Sequence, residues 1–120
     1  MKAEEPQPEG CQTMGLTKTD AYTDEQNRLA DLCRTLGHPA RIAILQKLFS
    51  TECCICRDFT DEIDLSQPTI SRHLKELKAA GLIAGTIEGT SVSYCINPAR
   101  WREVQALLNG MFNSFKDSCC

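Results

Sequence analysis

The apolar period of this chain changes at Gly81. Upstream, apolar residues recur every three or four positions, the repeat of helices buried on one face. Downstream, Leu82–Ile87 and Ser91–Ile96 flank Glu88-Gly89-Thr90, which reads as a β-hairpin. Val92, Tyr94 and Ile96 fall on one face of its second strand and Cys95 on the other.

The helices announce themselves by their ends. Thr23-Asp24-Glu25-Gln26 reads as a capping box, followed by Leu29, Leu32, Cys33 and Leu36 at helical spacing and a stop at Gly37. Cys33 reads as part of that helix's core stripe. His38-Pro39 starts a second helix, with His38 as a start residue and Ile42, Leu45, Leu48 and Phe49 as the buried face. Ile55, Phe59 and Ile63 sit four apart and predict a short third helix over residues 54–63. Ser66 caps a fourth helix with Pro68 in its first turn, Ile70, Leu74 and Leu77 inside, and Gly81 at its end. Asn97-Pro98 opens a last helix carrying Trp101, Val104, Leu108, Met111 and Phe115 at heptad-like spacing. The fold class is therefore mainly α with a hairpin wing, a winged helix-turn-helix. Residues 1–21 read as a flexible tail, 22–116 as the domain, and 117–120 as a Cys-containing tail.

Composition limits the function classes. The 120 residues make one domain, and no apolar run approaches the roughly 18–20 residues that span a bilayer. No basic-then-apolar leader opens the sequence, so a cytoplasmic protein without a membrane partner is expected. The net charge of −3 excludes a generally basic coat, so any DNA contact must come from a local patch. Residues 66–80 supply one: Arg72, Lys75 and Lys78 outweigh Glu76. With Ile70 and Leu74 turned inward, Gln67, Thr69, Ser71, Arg72, His73 and Lys75 form the expected DNA-facing set. Glutamine and arginine can pair with adenine and guanine edges, and hydroxyls serve bases or phosphates.

The segments Leu36-Gly37-His38-Pro39-Ala40-Arg41-Ile42, Cys54-Ile55-Cys56 and Ser66 through Leu74, with the turn at Glu88-Gly89, make residues 25–115 resemble the ArsR/SmtB family of metal-sensing repressors. The resemblance implies a homodimer that binds double-stranded operator DNA through the fourth helix and releases it when a metal binds. It implies no resident cofactor and no enzymatic activity. The arsenic-responsive branch is nearest, which implies As(III) or Sb(III) as the inducer. The wing differs from that of many relatives in carrying no Lys or Arg at its tip.

Eight cysteines in such a chain point to metal or redox chemistry. Cys53, Cys54 and Cys56 are the densest group, and soft thiolates select thiophilic ions. Trivalent arsenic takes three sulfurs. In a regular helix, at about 100° per residue, Cys53 and Cys56 share a face while Cys54 and Cys56 lie about 160° apart. Three thiolates then converge only if the start of the third helix unwinds, which would disturb the recognition helix. Arsenic-sensing relatives commonly show Cys-x-Cys-x2-Cys, whereas here Phe59 holds the last position. The third sulfur is Cys53, or comes from Cys119-Cys120 or Cys11. Cys95 reads as structural or exposed. Residues 98–116 contain no His, which argues against a zinc site on the last helix.

A Cd, Pb or Zn sensor of the same fold, using Cys11 with Cys54 and Cys56, is one alternative; zinc or cadmium takes four ligands where arsenic takes three sulfurs. A thiol redox repressor is another, and it needs a disulfide partner from a distant segment, because near-vicinal cysteines are awkward partners. A thiol reductase is disfavoured by the absence of Cys-x-x-Cys in a βαβ setting. The last helix's stripe fits a dimer, because a two-fold operator calls for two-fold protein symmetry.

Overall fold

A computed structural model describes residues 21–117. The readings of residues 1–20 as a tail, of Cys11, and of Cys119-Cys120 lie outside them. The element order is α1 (Asp24–Leu36), α2 (Pro39–Ser50), β1 (Cys53–Ile55), α3 (Cys56–Glu62), α4 (Gln67–Ala79), β2 (Ile83–Glu88), β3 (Ser91–Ile96) and α5 (Pro98–Asn113).

Local chemistry sets most of these boundaries. Thr23 and Gln26 exchange backbone and side-chain hydrogen bonds at 3.0 Å each, the expected capping box. The imidazole Nδ1 of His38 accepts from the Ala40 N–H at 3.0 Å and caps α2. The Ser66 hydroxyl accepts from Thr69 N–H at the start of α4. Gly81, at φ +79°, carries the chain out of α4 in the left-handed region that glycine tolerates. Gly89, at φ +64°, occupies the first central position of the two-residue wing turn, where hairpins require positive φ.

One core joins these elements. Ile44, Leu45, Leu48, Phe59, Ile70, Leu74, Leu77, Leu82 and Val104 are all buried in it. Within α2 the buried face runs Ala40, Ile44, Leu48, with Leu45 beside it. Ile42 and Phe49, expected inside, are exposed, because they lie off that i, i+4, i+8 row. Phe49 instead meets Trp101 of α5 edge-on, with ring centroids 5.0 Å apart. Cys33, also expected in the core, is exposed. Leu29, Leu32 and Leu36 carry the apolar row of α1, and Cys33 sits one step round from Leu32.

The largest correction concerns residues 53–55. They do not begin a helix; they form a third strand that pairs with β3, giving sheet order β1-β3-β2. α3 starts only at Cys56, where the Asp58 carboxylate accepts the Ile55 N–H at 2.8 Å. Register places Cys53 opposite Cys95, and the two are joined as a disulfide. Cys95 is thus a bonded partner, and Cys53 is not a free thiol in this state.

α5 is fastened to the turn after α4. Asn97 Nδ2 donates to Gly81 O at 3.0 Å, Arg100 Nε to Ala80 O at 3.2 Å, and Trp101 Nε1 to Leu82 O at 2.9 Å. Its far end leaves Met111 and Phe112 exposed; Phe115, expected on the helix, lies two residues past its end at Asn113 and is exposed, as is Tyr22 just before α1.

Candidate nucleic-acid interface and thiol site

α4 presents its polar side chains unequally. Gln67, Arg72 and Lys75 are exposed, and Thr69 and Ser71 are half-buried. The Thr69 hydroxyl bonds the Ser66 hydroxyl at 3.0 Å and so belongs partly to the helix cap. His73 departs from the outward set: only 8 % exposed, it lies inside. Its spacing from Ile70 and Leu77 places it on the buried side of the helix.

The buried imidazole is held by its neighbours. Arg41 Nε donates to His73 Nδ1 at 3.1 Å, and Arg41 Nη1 donates to the Thr35 carbonyl at 3.1 Å. The His38 ring stacks obliquely, with centroids 4.4 Å apart. Burial, reinforced by His38, Arg41 and Arg72, holds the His73 pKa below its ordinary 6.5; Glu76 pulls weakly the other way. A neutral ring with Nδ1 as acceptor fits that bond. Arg41 is not singled out by the sequence, where it stands only within the Leu36–Ile42 segment that carries the family resemblance.

The three clustered cysteines are not brought together. Strand alternation turns Cys53 and Cys54 to opposite faces of the sheet. Cys53 is exposed and disulfide-bonded. Cys54 is buried, its sulfur 3.3 Å from the Thr51 hydroxyl. Cys56, in the first turn of α3, lies with its sulfur 3.7 Å from the Ser71 hydroxyl of α4. Among the described residues, no three His, Cys, Asp or Glu side chains are grouped closely enough to hold a metal ion.

Cys56 and Ser71 border an open groove of about 430 Å³ between the start of α3, α4 and the wing. Ile55, Arg57, Gln67, Thr90, Ser91, Val92 and Tyr94 complete its walls. A thiol, an α4 residue expected to face DNA and the wing thus share one surface.

Residues 38–84 match the family model described as "Bacterial regulatory protein, arsR family". An uncharacterised HTH-type transcriptional regulator of Methanocaldococcus jannaschii is 34 % identical over 87 residues, 72 % of this chain and 97 % of that protein. The chain belongs to the arsR family. It is a DNA-binding transcriptional repressor of that family, not an enzyme. The HTH-type transcriptional repressor SmtB of Mycobacterium tuberculosis is 41 % identical over 64 residues, 53 % of this chain and 47 % of that protein. An arsenical resistance operon repressor of Staphylococcus aureus is 30 % identical over 91 residues, 76 % of this chain and 86 % of that protein. Among solved structures, an ArsR-like regulator from Rhodococcus superposes with a TM-score of 0.64 at 21 % identity, over 77 % of this chain and 86 % of that one. It supports the winged helix-turn-helix fold. No helix among the described residues is long and apolar enough to cross a membrane.

Proposed function

We propose that this arsR-family member acts as a homodimer and that trivalent arsenic or antimony releases it from its operator. In this reading Gln67, Arg72 and Lys75 reach DNA, with Thr69 and Ser71 at the edge of the contact. His73 sets the seat of the helix instead. The inducer ligands are the thiolates of Cys54 and Cys56, with Cys53 as the third once its bond to Cys95 is reduced by a dithiol. Each As(OH)3 then exchanges three As–O bonds for three As–S bonds and releases three waters.

The observation that carries this reading is the contact of Cys56 sulfur with Ser71 hydroxyl at 3.7 Å. A ligand that draws Cys56 towards Cys54 and Cys53 takes it from the recognition helix. The strand geometry revises the switch expected from sequence. There is no helical turn at Cys53–Ile55 to unwind; bringing Cys53 and Cys54 to one ion must instead peel the three-residue edge strand β1 off β3. α3 follows β1 directly and packs on α4, so the DNA-bound geometry is lost with it. The coupling required is about 1–3 kcal/mol. The exposed Met111, Phe112 and Phe115 of the C-terminal region support the dimer.

One observation favours a second reading, a thiol redox repressor: the Cys53–Cys95 disulfide supplies the distant partner that such a switch needs. One titration separates the readings. Fluorescence anisotropy of a labelled promoter duplex is followed at fixed salt, with reduced protein, as As(III), Sb(III), Cd(II) or Zn(II) is added, beside a Cys54→Ser variant and oxidised wild type. Release by As(III) from wild type and not from the variant is expected. Release by Cd(II) or Zn(II) alone would make it a divalent-metal sensor. Release by oxidation alone would make it a redox repressor.

A further inference from the structure

Cys53 and Cys95 are bonded sulfur to sulfur, and the proposed inducer site uses only the first. They face each other across β1 and β3 with Cα atoms 4.4 Å apart. That is the spacing of a non-hydrogen-bonded antiparallel pair, about 4.5 Å, in which side chains approach most closely. Ladder pairing of Cys54 with Tyr94 and of Ile55 with Ser93 holds the two backbones in register. Reducing the bond therefore leaves two thiols side by side. Cys53 is exposed and Cys95 half-buried, so the pair opens to solvent at one edge. Cys54 faces the core, and Cys56 lies against Ser71.

We propose that the reduced Cys53–Cys95 pair is a two-thiolate site for a mono-substituted trivalent arsenical, R–As(OH)2. A dithiol reductant first takes the disulfide to two thiols and is itself oxidised to a disulfide. The two thiols then displace two hydroxides: two S–As bonds form, two As–O bonds break, two waters leave, and arsenic stays trivalent. The organic group fills the third position, so no third sulfur is needed. This clamps β1 to β3, whereas the three-thiolate site must part them. The two ligands are thus mutually exclusive claimants on Cys53. The proposal takes from the proposed function only the thiophilic class of ligand.

The test uses the full-length chain, reduced and freed of reductant, with phenylarsine oxide as the probe. Intact mass, alkylation of the remaining thiols and peptide mapping locate the arsenic, and no variant is needed for that step. One equivalent bridging Cys53 and Cys95 is expected. The Cys54→Ser/Cys56→Ser double variant should bind the probe as wild type does. Cys95→Ser should weaken binding by about a hundredfold or more, because the second bond is no longer intramolecular. Arsenite release of the operator should persist in Cys95→Ser. Arsenic mapped to Cys54 and Cys56, or to Cys119 and Cys120, would overturn the proposal, as would undiminished binding by Cys95→Ser. If wild type takes the probe at Cys53 and Cys95 yet arsenite releases no operator, the inducer reading fails and this one stands.

Discussion

Replacing His73 by alanine separates folding from DNA reading. The imidazole is buried and accepts a hydrogen bond from the charged Arg41 side chain at 3.1 Å. Such a bond is worth about 1.5–3 kcal/mol net. The lost packing of a small ring adds about 1 kcal/mol. Together these predict destabilisation of about 2.5–4 kcal/mol, with roughly 4–8 °C of melting temperature per kcal/mol for a domain near 100 residues. The pH dependence gives a second readout. His73 has a depressed pKa when folded, so the unfolded chain binds more protons as pH falls. Its contribution is full above about 6.5, the unfolded value, and is lost as pH drops through the folded one. Urea unfolding at pH 5 to 8 should therefore show a flatter slope in His73→Ala than in wild type. Operator binding, measured where both proteins are folded, should keep its dependence on salt. A salt slope shallower by about 0.9 per lost phosphate contact, with unchanged stability, would return His73 to the DNA-facing surface and refute the argument.

Two other substitutions probe neighbouring links. Arg72→Ala should cost about 1–3 kcal/mol and relax preference at one base position, whereas Lys75→Ala should weaken all sequences alike and reduce the salt slope by about one; competition binding against single-base operator variants distinguishes them. Phe59→Ala, at a fully buried position in α3, should cost about 3–5 kcal/mol by denaturant unfolding.

What could be read from sequence follows the range of the interactions involved. The cap at Thr23, the start of α4 at Ser66 and its end at Gly81 rest on bonds between residues a few positions apart, so each is written locally. β1 is not. Three residues show no period, and their strand state depends on β3, some forty positions on. The helical spacing of Ile55, Phe59 and Ile63 was real, but only its later part is helix. His73 is a different case. Its spacing from Ile70 and Leu77 puts it inside, whereas its polar chemistry points outward. Arg41, hydrogen-bonded to it at 3.1 Å but 32 residues back in sequence, makes the buried position tolerable.

Ser71 is where the DNA-reading and thiol arguments meet, and Ser71→Ala decides between its two roles. The residue is half-buried, and its hydroxyl lies 3.7 Å from Cys56 sulfur. A bond to sulfur is weak, so folding stability should change by less than about 1 kcal/mol. If the hydroxyl reads DNA, its removal should weaken operator binding by about 0.5–1.5 kcal/mol, roughly two- to twelvefold. If it relays the state of Cys56, inducer-free affinity should stay within about threefold while arsenite loses part of its power to release the operator. Linkage requires the reciprocal: arsenite should then bind the DNA-complexed variant more tightly than it binds complexed wild type. Anisotropy with and without arsenite, and arsenite titration of the preformed complex, measure both halves of that cycle. The relay predicts that both move together. Full release of the variant by arsenite at the wild-type concentration would show that coupling passes through β1 and α3 without this contact.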